Sequence, residues 1–275
     1  MALNGQYTEY LGLYKPSLED SPPDITSINS NWDIIAEEIQ YLQSIGLPFG
    51  ANKKLELQPL PLQIRDVYLS PNGNDKGDGT LANPLKSIST AIGRFGGTAR
   101  LVLHLEEGTY TEVNPLEVSA CASVEMVGTG TGTTAVYFNY TQYGGYFTTN
   151  GIQFNGFNPQ LDGLTFNGAR ASIDNCYFSD FTTAIVFRNG TTGVVTNTQI
   201  VDCVRAIWAL NGAYVAAHNI TGSDVGEGYR TTAGIISVGT SVLNATTPVS
   251  KFGGGVVFRG GNLYGTTSNT FVNAT

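Results

Sequence analysis

Residues 167–232 decide the fold. Cut after every twenty-second residue they read NGARASIDNCYFSDFTTAIVFR (167–188), NGTTGVVTNTQIVDCVRAIWAL (189–210) and NGAYVAAHNITGSDVGEGYRTT (211–232). Four columns are identical in all three copies: Asn167/Asn189/Asn211, Gly168/Gly190/Gly212, Asn175/Asn197/Asn219 and Asp180/Asp202/Asp224. A fixed period of this size marks a unit that cannot bury its apolar side alone and must stack on its neighbours. In such a stack each column becomes a ladder along the axis, with rungs about 4.8 Å apart. Four columns then point inward: Ile173/Val195/Ala217, Cys176/Thr198/Ile220, Phe178/Ile200/Gly222 and Ile185/Ile207/Tyr229. They shrink or lose regularity in the third copy, so the stack is expected to change shape there.

The identical columns read as corners. Asn tolerates the left-handed backbone region better than other non-glycine residues, and its amide can bond the amide above and below. Asn175, Asn197 and Asn219 are therefore expected to form a structural ladder, and the Asn-Gly pairs to form turns. The Asp180/Asp202/Asp224 column is open to three readings: Asx turns that cap local N–H groups, a cation site, or catalysis.

Composition agrees with short strands and many turns. The chain has 275 residues, 34 of them Gly, and only 13% are charged. Its net charge of −8, without a Lys/Arg run, argues against nucleic acid as a partner. The three cysteines, Cys121, Cys176 and Cys203, form no CxxC, and there are two His, so neither a zinc site nor a disulfide framework is expected. All three read as buried, inert thiols; no cofactor or metal is expected. No run of 18 apolar residues predicts a membrane span. The first ten residues lack a signal-peptide pattern, so the expected product stays in the cytosol or leaves inside a particle.

Outward from the repeat, Val67–Leu69 reads as a strand, followed by a Gly/Asp loop. Asn83-Pro84 reads as the start of a short helix with Leu85, Ile88, Ala91 and Ile92 on its apolar face. Leu101, Leu103 and Leu105 alternate with Val102 and His104 as a strand, His104 being a plain outward residue. Strands are expected at 123–132, 135–140, 151–157 and 161–166 before the repeat, and at 234–239 and 255–261 after it. Asn244–Thr247 reads as a loop and 263–275 as a loose tail.

The N-terminal part differs. Residues 1–24 form an aromatic arm with Tyr7, Tyr10, Leu11, Leu13 and Tyr14, suited to docking on a partner. Then Ile25, Ile28, Trp32, Ile35, Ile39 and Leu42 step by 3 and 4, a heptad seam. The seam packs either against its own symmetry mates, isoleucine favouring more than two strands, or against the chain's own body. Gly46 and Pro48 end it. The divisions are thus 1–46, arm and oligomerising helix; 47–66, linker; 67–262, β-helix, with 67–112 its capping turn and 167–232 its regular rungs; and 263–275, tail.

The stretch VYLSPNGND…GT…NPLKSISTAI…LVLHLEEGTYTE (67–112) resembles the opening turn of the pectate-lyase-like parallel β-helix superfamily, and SIDNCYF and VVTNTQI resemble its later rungs. The resemblance implies an all-β chain: a right-handed, single-stranded parallel β-helix with about 22 residues per rung. LGLYKPSLEDSPPDITSINSNWDIIAEEI resembles N-terminal segments of bacteriophage tail fibres and tailspikes. That resemblance implies a homotrimer in a virion tail, assembled in the host cytoplasm. It would attach to a tail or baseplate protein by its N-terminus and bind host surface polysaccharide. Exposed aromatics for that contact are Tyr137, Tyr140, Tyr143, Tyr146, Trp208 and Tyr214.

Relatives of this kind often cleave polysaccharide, and a polysaccharide depolymerase is the alternative. A glycosidase needs two carboxylates about 5–10 Å apart. The weak candidates for chemistry are Asp174 and His218, which share an outward column. No motif specifies a reaction, so the sequence leans toward binding rather than cleavage.

Overall fold

The computed structural model describes residues 6–7, 14–15, 64–97, 99–119, 123–157 and 160–259. The chain divides into two compact units, residues 1–60 and 61–275. In the first, Gln6–Tyr7 pairs antiparallel with Tyr14–Lys15, Tyr7 opposite Tyr14, so the arm folds back on itself there. Tyr10, Leu11, Leu13 and the whole heptad seam lie outside the described residues, as do Cys121 and the tail.

The second unit is a parallel β-solenoid in which each rung supplies a strand to three faces. On the first face nine strands stack in register. Ile64 pairs with Arg100, then Ser123, Tyr146, Arg170, Thr192, Tyr214, Ile235 and Val256 follow in one column, at steps of 36, 23, 23, 24, 22, 22, 21 and 21 residues. The expected period of 22 is that of the middle rungs. The second face runs from Gly108–Thr111 to the start of Ser241–Phe252, and the third from Leu116–Val118 to the end of that same strand. Among the described residues, no helix is long and apolar enough to cross a membrane.

The long first step holds the Gly/Asp loop and helix α1 (Ile88–Phe95). The helix starts later than Asn83-Pro84 suggests. Leu85 N donates to Tyr68 O at 3.0 Å and Leu85 O accepts from Ser70 N at 2.9 Å, holding Leu85 beside Leu69 in an extended bridge. Ser87 is the N-cap, its hydroxyl accepting from Thr90 N at 3.3 Å. Buried Glu112 accepts at Oε1 from Ile88 N at 2.5 Å and Ser89 N at 3.1 Å, satisfying two orphan donors of the first turn.

The inward columns fill the core. Ile173, Val195, Ala217, Phe178, Ile200, Ile185, Ile207 and Tyr229 are all fully buried. Aromatic rings continue the packing up the axis: Phe147 to Phe166 at 5.2 Å and Phe166 to Phe187 at 5.5 Å, with Phe138, Phe154 and Phe178 stacked beside them at 5.7 and 4.9 Å. Each such pair contributes about 0.5–1.5 kcal/mol beyond its burial. The Phe187 ring occupies the space that a side chain at position 193 would need, and glycine stands there.

The identical columns are the corners. Asn175, Asn197 and Asn219 have φ of 48°, 49° and 54° where the first face turns into the second, and Asp180, Asp202 and Asp224 have 64°, 51° and 56° where the second turns into the third. Asn189-Gly190 and Asn211-Gly212 are left-handed at both residues where the third face returns to the first. The longest amide ladder lies in this last column rather than at Asn175. Asn211 donates to Asn189 at 3.1 Å and Asn189 to Asn167 at 2.8 Å. In the expected column Asn219 donates to Asn197 at 2.7 Å, but Asn197 donates to Asp174 at 2.8 Å.

The third copy does change shape. Ile220–Thr232 is one continuous strand that carries both the second and third faces, and its pairing shifts register between Gly222 and Val225. Asn244–Thr247 follows it inside the paired strand Ser241–Phe252, so the expected loop is a strand laid on the rung below.

Candidate functional site

Asp174 and His218 share the column Asp174, Thr196, His218, as expected, and sit two rungs apart. Asp174 is a structural acceptor: Oδ1 takes bonds from Thr196 Oγ1 at 2.6 Å and Asn197 at 2.8 Å, and Oδ2 takes one from Asn150 at 2.8 Å. His218 packs its ring over Gly239, where any β-carbon would collide with Nδ1.

The six candidate aromatics separate by exposure. Tyr140 points inward and is 1% exposed, its hydroxyl donating to Gln142 at 2.5 Å, so it cannot meet a surface ligand. The strand period explains this: Tyr140 begins a third-face strand, Tyr140–Tyr143, and occupies its inward position. Burial also pushes its phenol well above the usual tyrosine range. Tyr137 is half-buried against Phe157, with ring centroids 5.4 Å apart. Trp208 donates to Thr232 at 3.2 Å and is flanked by the guanidiniums of Arg205 and Arg230, 5.4 and 4.8 Å from its ring. Tyr143, Tyr146 and Tyr214 are exposed. Tyr143 and Tyr146 flank one corner, joined by left-handed Gly144 and Gly145. Tyr146 and Tyr214 share a first-face column, three rungs apart.

Tyr143 lines a cleft of about 230 Å³ on the third face, with Asn139, Asp162, Thr165, Asn167 and Arg188. The column Tyr143, Asn167, Arg188 forms one wall through strand register. Asp162 forms the opposite side, its carboxylate 3.3 Å from Arg188 Nη2 and its backbone carbonyl accepting from Asn139 at 2.6 Å. Arg188 Nε is shielded from solvent and has no partner. Ring, amide, carboxylate, hydroxyl and guanidinium thus converge on one concave surface, the combination that fixes a polar ligand. Sequence reading found Tyr143 but missed Asp162 and Arg188. The signal was the Asn167 corner, which places Arg188 one rung above it, yet Tyr143 belongs to an irregular rung whose register the sequence does not display.

Two larger depressions carry less chemistry. One of about 580 Å³ lies at the corner of Asp202, Asp224 and Asn244. Among the described residues, no group of three or more His, Cys, Asp or Glu is placed to hold a metal ion. The other, of about 530 Å³, lies in the Asn72–Pro84 loop. That loop's polar groups are used internally: Asn74 accepts from Lys76 N at 2.9 Å, and Arg94 donates to the Gly77 and Asp75 carbonyls, both at 2.5 Å. On the first face His104 is less plain than its sequence suggests. Its Nε2 lies 2.8 Å from Asp66 Oδ1 and its ring stacks on Tyr68 at 4.7 Å, which ties the first rung to the second.

No family model matches the chain. It is similar to the pectate lyase PEL9 of Emericella nidulans, 37% identical over 54 residues, which are 20% of this chain and 13% of that protein. The chain therefore spans well under two thirds of that relative. Among solved structures it is similar to pectin methylesterase PemA from Erwinia chrysanthemi, at 11% identity over 76% of this chain and 92% of that one, with a TM-score of 0.43. It is also similar to the pectin methylesterase from carrot, at 14% identity over 76% and 85%, with a TM-score of 0.37. At that distance neither likeness assigns a residue or a reaction.

Proposed function

We propose that this chain acts on a polysaccharide held in the third-face cleft, and that it is a depolymerase before it is a simple adhesin. The cleft carries the reading: Tyr143 offers a ring for a sugar face, while Asn139, Thr165 and Asn167 offer hydroxyl-matching groups around the Arg188–Asp162 pair. The local likeness to a pectate lyase supports a sugar polymer as substrate. Any bond cleavage in this cleft runs between one carboxylate and one guanidinium, since Asp162 and Arg188 are the charged side chains of its lining.

The test is incubation with a panel of capsular, cell-wall and plant polysaccharides, read as reducing ends and as ultraviolet absorbance of unsaturated products. Asp162→Asn is expected to keep binding and lose product; Arg188→Gln is expected to weaken both. If no polymer in the panel is either bound or cut, the reading fails.

A second reading has its own support. The heptad seam Ile25–Leu42 and the aromatic arm fit a tail-fibre or tailspike protein of a phage-like particle, a homotrimer docked by its N-terminus on a tail or baseplate protein and directed at host polysaccharide. Light scattering that gave a monomer mass at micromolar concentration would remove the trimer from it.

A further inference from the structure

The outer side of the first face divides in two. Its early strands carry charge that is paired within the face: Arg100 lies 2.5 Å from Glu125, and His104 lies 2.8 Å from Asp66. From Thr192 to Phe258 none of the outward positions of this face is Lys, Arg, Asp or Glu. Val194, Tyr214 and Ile235, three of those positions, are 43%, 46% and 36% exposed. Parallel sheets ordinarily have both sides covered. Large apolar side chains gathered in one uncharged area mark a contact surface.

The strand Arg170–Asp174 borders this area, one rung earlier, with a charged residue at each end. Both ends point outward, but they stand about 13 Å apart along the strand and do not reach each other. Arg170 is exposed and makes no ion pair among the described residues. Asp174 accepts three hydrogen bonds, from Thr196, Asn197 and Asn150. A carboxylate has about four acceptor sites, so one stays open. Between the two ends runs a column of short side chains in strand register, Ser172, Val194, Ala216 and Ser237. A line of short side chains lets a second flat sheet come close.

We propose that this face joins two copies of the chain, side by side and pointing the same way, about a two-fold axis that runs parallel to the solenoid axis over the column from Ser172 to Ser237. Such an axis sets each rung opposite the same rung of the other copy with its strand reversed, an isologous contact. The column residues then meet their own copies, and Tyr214 meets His218 of the partner subunit. Arg170 meets Asp174 of the partner subunit, twice by symmetry, so each unpaired guanidinium gains a carboxylate. Two chains of net charge −8 repel over most of their surface, and this uncharged area is where they approach without that cost. The five strands from Arg170–Asp174 to Val256–Arg259 lie about 4.8 Å apart, and five residues of width give a footprint of roughly 400 Å². That is the core of a standard interface of about 800 Å² per partner. The flanking corners, Asn189 and Asn211 on one side and Asn197 and Asn219 on the other, supply its polar rim. The proposal goes beyond the third-face cleft and does not depend on it.

The experiment is sedimentation velocity of the full chain over a range of micromolar concentrations, where a dimer mass is expected. Arg170→Glu sets a carboxylate against Asp174 of the partner subunit and should raise the dimer dissociation constant at least tenfold. Val194→Lys puts like charges on the axis and should do the same. Both positions are exposed, so circular dichroism should show the fold unchanged in either variant. Asp174→Lys should also weaken the dimer, yet an equimolar mixture of the Arg170→Glu and Asp174→Lys chains should pair with close to wild-type affinity, since each introduced carboxylate then meets an introduced ammonium. If Asp174→Lys fails to fold for want of its bonds to Thr196 and Asn197, Arg170→Glu and Val194→Lys still decide. A monomer or trimer mass overturns the proposal, and so does a dimer that neither of those two variants weakens. A mixture of folded variants that does not pair overturns the two-fold register. None of these outcomes bears on the third-face cleft, which the polysaccharide panel tests separately.

Discussion

Asn189 donates its side-chain amide to Oδ1 of Asn167, one rung earlier, across 2.8 Å, and accepts the same bond from Asn211 at 3.1 Å. It does so from a left-handed backbone, φ 54°, next to Gly190. Its identity in the repeat therefore serves two ends, corner geometry and a vertical tie. Asn189→Ala is expected to lose about 2 kcal/mol, from two exposed hydrogen bonds and the left-handed penalty together. Asn189→Gly restores the backbone freedom but not the ladder and should lose about 1 kcal/mol. Urea unfolding midpoints separate the two; an alanine variant as stable as wild type contradicts the ladder.

Gly193 is required by Phe187. A β-carbon there would stand 2.1 Å from the Phe187 ring. Gly193→Ala should cost about 1–3 kcal/mol by overpacking. Phe187→Leu in the same chain should recover part of it, and thermal melts of the two single variants and the double variant measure the coupling. Independent, additive losses would show that the ring does not set the residue.

The cap should be acid-sensitive. Partial burial raises the Asp75 carboxyl, but bonds from Ser87 N, Ser87 Oγ and Lys86 N outweigh it, and the net pKa falls below the usual 3.8. A carboxyl lowered in the folded state stabilises above its unfolded pKa, and that contribution is lost as pH falls through the folded value. Amide-exchange protection of Ser87–Thr90 should thus hold from neutral pH down to about 4 and decline below it. In Asp75→Asn the decline should be absent; an unchanged pH profile in that variant argues against the assignment.

The thiols should be silent. Burial pushes Cys176 up to about 11 and Cys203 up to about 12. Native protein at pH 8 should resist thiol reagents at both positions, and peptide mapping should find them labelled only after unfolding. Rapid native labelling of either would mean that its rung opens readily.

The legible part of this fold was the part where all rungs obey one period. Asn175, Asp180 and Asn189 recur because each corner needs a left-handed residue, and the inward columns at Ile173, Phe178 and Ile185 follow by counting. The legibility ends where the period drifts. Tyr140 reads as a surface aromatic until the register of its short strand turns it inward. Asn244–Thr247 reads as a loop because Asn and Thr favour turns, yet pairing with Ile220–Thr232 holds it extended. The helix start moved to Ser87 because Leu85 joins the sheet, a tertiary demand that Asn83-Pro84 does not announce. The cleft was hardest to see, since Asp162 and Arg188 meet across rungs and neither belongs to a motif.

The cleft itself is tested most directly by hydroxyl-radical footprinting with and without alginate and dextran oligosaccharides, read by mass spectrometry at each tyrosine. Protection of Tyr143, at the cleft wall, is expected, with Tyr68 and Tyr214 on the first face unchanged. Protection of Tyr68 or Tyr214 with Tyr143 unaffected would contradict it and move the sugar site to the first face.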